Sequence, residues 1–309
     1  MRILIVGAGA TGGAFGARLI QAGRDVTFLV REHRAEQLRS EGLAFSAPDV
    51  TTRLDVRCVT SVAQGDVYDL IIIAVKAPAL DAAIGTIRPA VGDDTLILPL
   101  LNGMRHIEAL VEVFGARVLG GLVKIVATLD RNSQAVQLTT LSAMTIGRLD
   151  GGEVPDAVRE ALDVPGIHLS VSGDIIGRLW EKWAFIASAG VVSCLFRGEV
   201  GDILEAGGEE QILQAIEECE RVAAAAGHTV GRQGHEGSVA MLTEPGSHFT
   251  SSLYRDLRLG DPLEAEHILG DLAHRARSVG VPTPLLDAAL LQVRTHRVAR
   301  ARTSAGVSA

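Results

Sequence analysis

The chain has 309 residues, 47% of them apolar and 21% charged, which is material for about two domains of roughly 100–200 residues each and excludes a disordered, charge-rich polymer. Its 29 Lys and Arg against 37 Asp and Glu leave a formal net charge of −8, so the overall charge draws in neither nucleic acid nor an anionic membrane surface. Three scattered cysteines without a C-x-x-C pair supply neither a disulfide framework nor a thiolate metal site.

The chain opens on a strand-like run, Ile3–Val6, with no basic segment leading a long apolar one, and no apolar stretch of about 18 residues follows. A soluble, cytoplasmic protein in a reducing compartment is the expectation. Ile3–Val6, Asp25–Val30, Leu70–Val75 and Leu96–Leu101 read as buried parallel strands, rich in Ile, Val and Leu and bounded by Gly, Pro or charge. Gly13–Ala22, Arg34–Glu41 and Ala79–Ala90 alternate with them as helices, the α/β signature. Val118–Leu129, Ala135–Leu141 and Met144–Ile146 read as further strands that close the domain as a sheet edge or meander.

From Ser172 the texture changes. Asp174–Cys194 is long, mostly apolar and free of proline, and reads as a buried helix. Glu209–Ala226, Gly234–Leu242, Pro262–Val279 and Pro284–Arg300 carry helical periodicity punctuated by Gly or Pro, and the tail from Thr303 is small and polar. The predicted architecture is an α/β protein: an N-terminal Rossmann-type domain, residues 1–172, followed by an all-α C-terminal domain, residues 173–309. The apolar helices of the second half offer a surface that a homodimer could bury.

Gly7-Ala8-Gly9-Ala10-Thr11-Gly12 matches G-x-G-x-x-G directly between a strand and a helix, with a second strand at βαβ spacing. Gly7 suits the tight turn, Gly9 lets backbone amides approach a pyrophosphate, and Gly12 allows close helix–strand packing. At the end of the second strand, where an NAD enzyme places an acid against the ribose 2′-hydroxyl, stands Arg31, whose planar donor fork suits a 2′-phosphate and favours NADP(H). The competing reading is a surface arginine with Glu32 as a displaced acid of an NAD site. Lys76 and Asn102 follow the third and fourth strands, at the carboxyl edge where open α/β sheets bind ligands. Each is a cofactor or substrate contact, or else a solvated loop residue.

Leu179-Trp180-Glu181-Lys182-Trp183 sets a lysine between two tryptophans ahead of the charge-free run Ala184–Leu195. Desolvation there would suit Lys182 to proton donation near neutral pH, against the alternative of a snorkelling lysine paired with an acid. Downstream, Asp261, Pro262 and Glu264 fit N-cap, N1 and N3 of a helix, which gives Glu264 a capping role as an alternative to one at the active site.

Taken together and in order, the glycine loop, Ala74-Val75-Lys76, Leu101-Asn102-Gly103-Met104, Leu179-Trp180-Glu181-Lys182, Ser252 through Glu264 and Gly280-Val281-Pro282-Thr283-Pro284 resemble the ketopantoate reductase (2-dehydropantoate 2-reductase) family over nearly the whole chain. The resemblance implies NADPH-dependent reduction of a 2-oxo acid to the (R)-2-hydroxy acid. It implies that Lys182 hydrogen-bonds the ketone oxygen and supplies its proton, and that Glu264 is the acidic partner in the active-site cleft. Gly7, Ala8, Gly9, Ala10, Thr11, Gly12, Arg31, Lys76 and Asn102 would hold the cofactor, and Asn102, Lys182 and Ser252 the substrate. No metal is implied.

The family pattern has asparagines four and eight residues beyond the lysine and another further on; here stand Ile186, Gly190 and, without a gap, Val200. An unpaired buried polar group costs about 1–3 kcal/mol, so the expected substrate is ketopantoate or a related 2-oxo acid, with a more apolar one than ketopantoate among the alternatives. Arg105, Lys124 and Arg197 are candidate carboxylate anchors. A sibling enzyme acting on another carbonyl or an imine, and an NADPH-binding sensor without turnover, are the competing readings.

Overall fold

The four residues Ile3, Leu4, Ile5 and Val6 are all buried, yet they feed two different cores. Successive strand residues point to opposite faces, so Ile3 and Ile5 enter one cluster with Phe15, Leu19 and Phe28, while Leu4 and Val6 enter another with Ile84, Ile87 and Leu110. Only a strand covered on both sides needs such a run. A computed structural model describes residues 1–260 and 264–306 of the chain, the side chains of residues 303–306 excepted. It divides into two compact units, one of residues 1–101 and 106–176, the other of residues 102–105 and 177–309.

The first unit runs β1 (Arg2–Val6), α1 (Ala10–Gln21), β2 (Asp25–Leu29), α2 (Glu32–Glu41), β3 (Leu43–Ala47), β4 (Val50–Leu54), β5 (Arg57–Val59), β6 (Leu70–Ile73), α3 (Leu80–Ile87), β7 (Leu96–Pro99), α4 (Arg105–Phe114), β8 (Leu119–Leu129), β9 (Ala135–Arg148), α5 (Asp156–Leu162) and β10 (His168–Val171). A parallel sheet has the order β5-β2-β1-β6-β7, so the chain moves one way from β1 to β2 and the other way to β6. That reversal opens a crevice at the carboxyl ends of β1 and β6. A second sheet, β10-β9-β3-β4 with β8 also on β9, packs its inner residues Phe45, Ala135, Met144 and Ile146 into the cluster that holds α1.

One sequence expectation is corrected here, and one element is added. Ala135–Leu141 and Met144–Ile146 are one continuous strand, because Ser142 and Ala143 pair with Ile125 and Lys124 of β8 and Ala143 also pairs with His168 of β10. The hairpin β3–β4 lies in a segment to which no element is assigned from sequence. Its outer strand is polar, and its turn is held by the buried Arg18, which makes two bonds of 2.7 and 3.0 Å to the Asp49 carboxylate.

The second unit carries α6 (Ile175–Phe196, whose first two residues fall in the first unit), α7 (Val200–Glu205), α8 (Glu209–Ala225), α9 (Arg232–Leu242), α10 (Ser252–Leu259), a π-turn (Glu266–Gly270) running into α11 (Asp271–Ser278), and α12 (Pro284–Gly306). Residues Ile212, Ala215, Ile216, Cys219, Val222 and Ala223 bury one face of α8 at helical spacing. Between them Glu218, fully buried, accepts from the Leu285 and Leu286 amides at 3.0 and 3.1 Å and so caps the start of α12. By length and composition α6 could cross a bilayer, but 67% of its apolar window is buried inside the protein, as in a core helix.

Candidate active site

In the first unit the glycine loop bends where β1 ends. Gly7 has φ +100°, which L side chains rarely adopt, and its amide donates to the Leu29 carbonyl at 3.0 Å. A Cβ at Gly12 would stand 2.1 Å from the Gly7 carbonyl oxygen and 3.0 Å from the Ala74 Cβ, so turn, helix and β6 close on one another only without it. Gly9, the N-cap of α1, meets nothing within 4 Å of a Cβ position. The first turn of α1, with Ala10 and Thr11, holds no acidic residue and no capping side chain. An open backbone at the positive end of a helix fits a pyrophosphate; the residues present therefore suit a dinucleotide.

Arg31, the exposed N-cap of α2, and Lys76, exposed one residue past Val75, both stand at the carboxyl edge of this sheet, and the Gly7 turn packs against Ala74 and Val75. Sheet order thus brings Gly7–Gly12, Arg31 and Lys76 to adjoining strand ends. Lys124 is exposed on β8.

Asn102 belongs to the second unit. Gly103 takes φ +82°, and a Cβ there would lie 3.1 Å from the His267 carbonyl oxygen and 3.2 Å from its ring Cδ2. The buried His267 ring hydrogen-bonds the Asn102 backbone and feels Glu264, Asp271 and Arg105; burial above all holds its pKa below the ordinary imidazole value. The His267 amide also donates to the Glu264 carbonyl at 3.0 Å, which keeps Asn102 and the Glu264 backbone next to the same residue.

On α6 the tryptophans face away from the lysine. At 100° per residue Trp180 and Trp183 share a side, both buried, with ring centroids 4.9 Å apart; Trp180 stacks on His228 and Trp183 donates to the Ile268 carbonyl at 3.0 Å. Lys182 lies instead on a half-buried stripe with Phe185 and Ile186. The indoles anchor the helix that carries Lys182. Of the positions where the family pattern has asparagine, Gly190 is packed where a Cβ would come 3.3 Å from Leu269 and 3.4 Å from Leu253, and Val200 is buried at the start of α7. Only Ile186 stands on the stripe.

Ser252 is the exposed first residue of α10; the capping is done by its neighbour Ser251, whose hydroxyl accepts from the Tyr254 amide at 3.1 Å and from Ser193 at 2.7 Å. Asp261 and Pro262 lie outside the described residues. Glu264 does not stand at N3: it precedes the helix, and its carbonyl accepts from the His267 and Ile268 amides at 3.0 and 2.9 Å. Glu264 itself takes the place of an N-cap, so a capping role for its carboxylate stays beside the active-site one. Arg197 has φ +59° past the end of α6 and its carbonyl accepts from the Tyr254 hydroxyl at 2.5 Å, a backbone role; Arg105 starts α4, exposed. Among the described residues no group of His, Cys, Asp and Glu could hold a metal.

Sequence reasoning missed His267 and Arg34. The one signal for either was spacing: His267 falls three residues after Glu264, and Arg34 three after Arg31.

Comparison with known proteins identifies the family and the fold. Residues 3–151 match the family model described as ketopantoate reductase PanE/ApbA, and residues 174–297 match its C-terminal counterpart. A Bacillus subtilis (strain 168) protein named uncharacterized oxidoreductase YkpB is 32% identical over 291 residues, covering 93% of this chain and 96% of the relative. The 2-dehydropantoate 2-reductase of Pyrococcus horikoshii is 26% identical over 92% of this chain and 94% of its own. Among solved structures, 2-dehydropantoate 2-reductase from Geobacter metallireducens GS-15 superposes with TM-score 0.86 at 24% identity, covering 96% of this chain and 99% of that one. A D-mandelate dehydrogenase with NADH and anilino(oxo)acetate superposes with TM-score 0.85 at 21% identity, covering 97% and 99%.

Proposed function

The chain belongs to the ketopantoate reductase family, NADP-dependent oxidoreductases acting on CH–OH groups, and from that premise we propose that it reduces a 2-oxo acid more apolar than ketopantoate to the (R)-2-hydroxy acid. The observation that carries the reading is the half-buried stripe of α6 on which Lys182 stands beside Phe185 and Ile186, ahead of the fully buried run from Ala187 to Cys194.

Bound NADPH supplies the hydride. The amides of Gly9–Gly12 hold its pyrophosphate, with Arg31 and Lys76 as the cationic groups at the same strand ends. Lys182 donates a hydrogen bond to the ketone oxygen, stabilises the charge developing there and passes on a proton. Glu264, whose charge acts on the His267 ring, is the acidic group of the site, and Asn102 and Ser252 contact the substrate. Ile186 offers a carbon surface where a hydroxylated chain would need a hydrogen-bond partner. The fold is shared with a D-mandelate dehydrogenase, so it does not restrict the substrate to ketopantoate.

The test follows the loss of reduced nicotinamide absorbance with NADPH and with NADH over a panel of 2-oxo acids. Faster turnover of apolar 2-oxo acids with NADPH is expected; activity confined to ketopantoate, or to carbonyls other than 2-oxo acids, rejects the reading. Assembly as a homodimer is part of the same proposal and is checked by light scattering.

A further inference from the structure

The arginine that best meets the demands of a 2′-phosphate is not the one at the strand end. Arg31 contributes its backbone to α2, its carbonyl accepting from the Ala35 amide at 3.0 Å, while its side chain is in the exposed class. Glu32, the one acid placed for an NAD-type ribose contact, is held in an ion pair with Arg39 at 3.1 Å. Arg34, one turn along, is turned inward. Its Nη2 donates to the Ala8 carbonyl at 3.1 Å, inside the glycine loop, and its Nη1 donates to Gln37. Gln37 is itself fixed by a bond from its Nε2 to the Asn132 carbonyl at 2.8 Å.

Arg34 is thus a cation fastened to the dinucleotide turn by neutral partners. Its Nε is buried and has no hydrogen-bond partner, and burial lowers its pKa from the usual guanidinium value, with only Glu41 opposing at longer range. Among the described residues no carboxylate lies within ion-pair distance of it. A half-desolvated charge without a counter-charge is costly, and an incoming phosphate would relieve that cost with charge-assisted bonds. The ribose of a dinucleotide bound on such a loop lies between the glycine turn and the end of the second strand, where Arg34 is fixed.

We infer that Arg34 is the principal residue that recognises the 2′-phosphate of NADPH and discriminates against NADH, with Arg31 secondary. The inference rests on the NADPH-binding half of the proposed function.

The test is equilibrium titration of the full-length protein with NADPH and with NADH, followed by reduced-nicotinamide fluorescence without substrate. For Arg34→Gln, NADPH affinity should fall about tenfold or more while NADH affinity changes less than about threefold, and Arg31→Gln should lose less NADPH affinity than Arg34→Gln. Arg34→Lys, which keeps the charge but not the fork, should fall between wild type and Arg34→Gln. Equal losses for both cofactors in Arg34→Gln would mean that Arg34 only shapes the loop, and a larger NADPH loss in Arg31→Gln would reverse the ranking; either overturns the inference. Wild-type protein that binds NADPH no better than NADH overturns the NADP reading itself, an outcome the unsubstituted titration reports separately.

Discussion

The indole nitrogen of Trp183 donates to the Ile268 carbonyl over 3.0 Å, joining the helix that carries Lys182 to the π-turn that follows Glu264. Ile268 in turn donates its amide to the Glu264 carbonyl at 2.9 Å, so two hydrogen bonds connect the neighbour of the proposed proton donor to the backbone of its acidic partner. Trp183→Phe keeps most of the buried ring but strands the Ile268 carbonyl, a loss of about 1–3 kcal/mol. Its melting temperature should fall, and kcat should fall while NADPH affinity holds. Unchanged kcat would show that the clamp serves stability alone.

Lys182→Ala should reduce kcat by about 10²–10⁴-fold, the usual contribution of a positioned proton donor, with NADPH affinity within about twofold of wild type. Steady-state rates and a cofactor titration measure the two effects separately. Turnover at the wild-type level would remove Lys182 from the mechanism.

Ile186→Asn restores a polar partner beside Lys182, at the one asparagine position that stands on the half-buried stripe. The ratio of kcat/KM for ketopantoate to that for an unbranched apolar 2-oxo acid should rise by about tenfold, the scale of one or two kcal/mol of differential binding. Gly190→Asn, by contrast, should lower the melting temperature, because its Cβ would press on Leu253 and Leu269.

His267 gives the protein an acid-sensitive element. Burial holds its folded pKa below that of the unfolded chain, so between the two values the unfolded state binds more protons and stability rises with pH. The stabilisation is complete above the unfolded value of about 6.5 and is lost as pH falls below it, at up to about 1.4 kcal/mol per pH unit. His267→Gln cannot gain a proton, so its melting temperature should decline less than that of wild type between about pH 7 and about pH 5. Equal declines would show that His267 does not carry the acid sensitivity.

Glu218→Ala leaves the Leu285 and Leu286 amides and the Gln214 side chain without the carboxylate that caps α12. A stability loss of about 3 kcal/mol is expected, visible as a drop of several degrees in melting temperature. Rates at 25 °C should change little, since Glu218 touches none of the proposed site residues.

The parallel sheet and the glycine loop were legible because their demands are local: a strand covered on both faces needs an unbroken apolar run, and a turn that closes on a carbonyl 2.1 Å from a Cβ needs glycine. The hairpin β3–β4 was not, since Thr51, Thr52 and Arg53 present a polar outer strand and its turn is anchored by Arg18, distant in sequence. Lys182 was found from its adjacency in sequence to two tryptophans, whose own partners, His228 and the Ile268 carbonyl, no local pattern encodes. Glu264 was read at N3 and stands instead directly before the helical residues that begin at Ala265. Arg34 and His267 act through contacts to Ala8 and to Asn102 and Gly103, which no local pattern encodes.

The grouping of Asn102–Arg105 with the helical unit bears on how the protein can be dissected. A chain that joins that unit for four residues, returns, and rejoins it at Gly177 is threaded through it twice, and no single cut separates two complete halves. A fragment ending near residue 172 would keep Gly103 while discarding His267, the side chain it packs against. The two units are better treated as one genetic module: swapping helical segments between family members would require exchanging residues 102–105 with them.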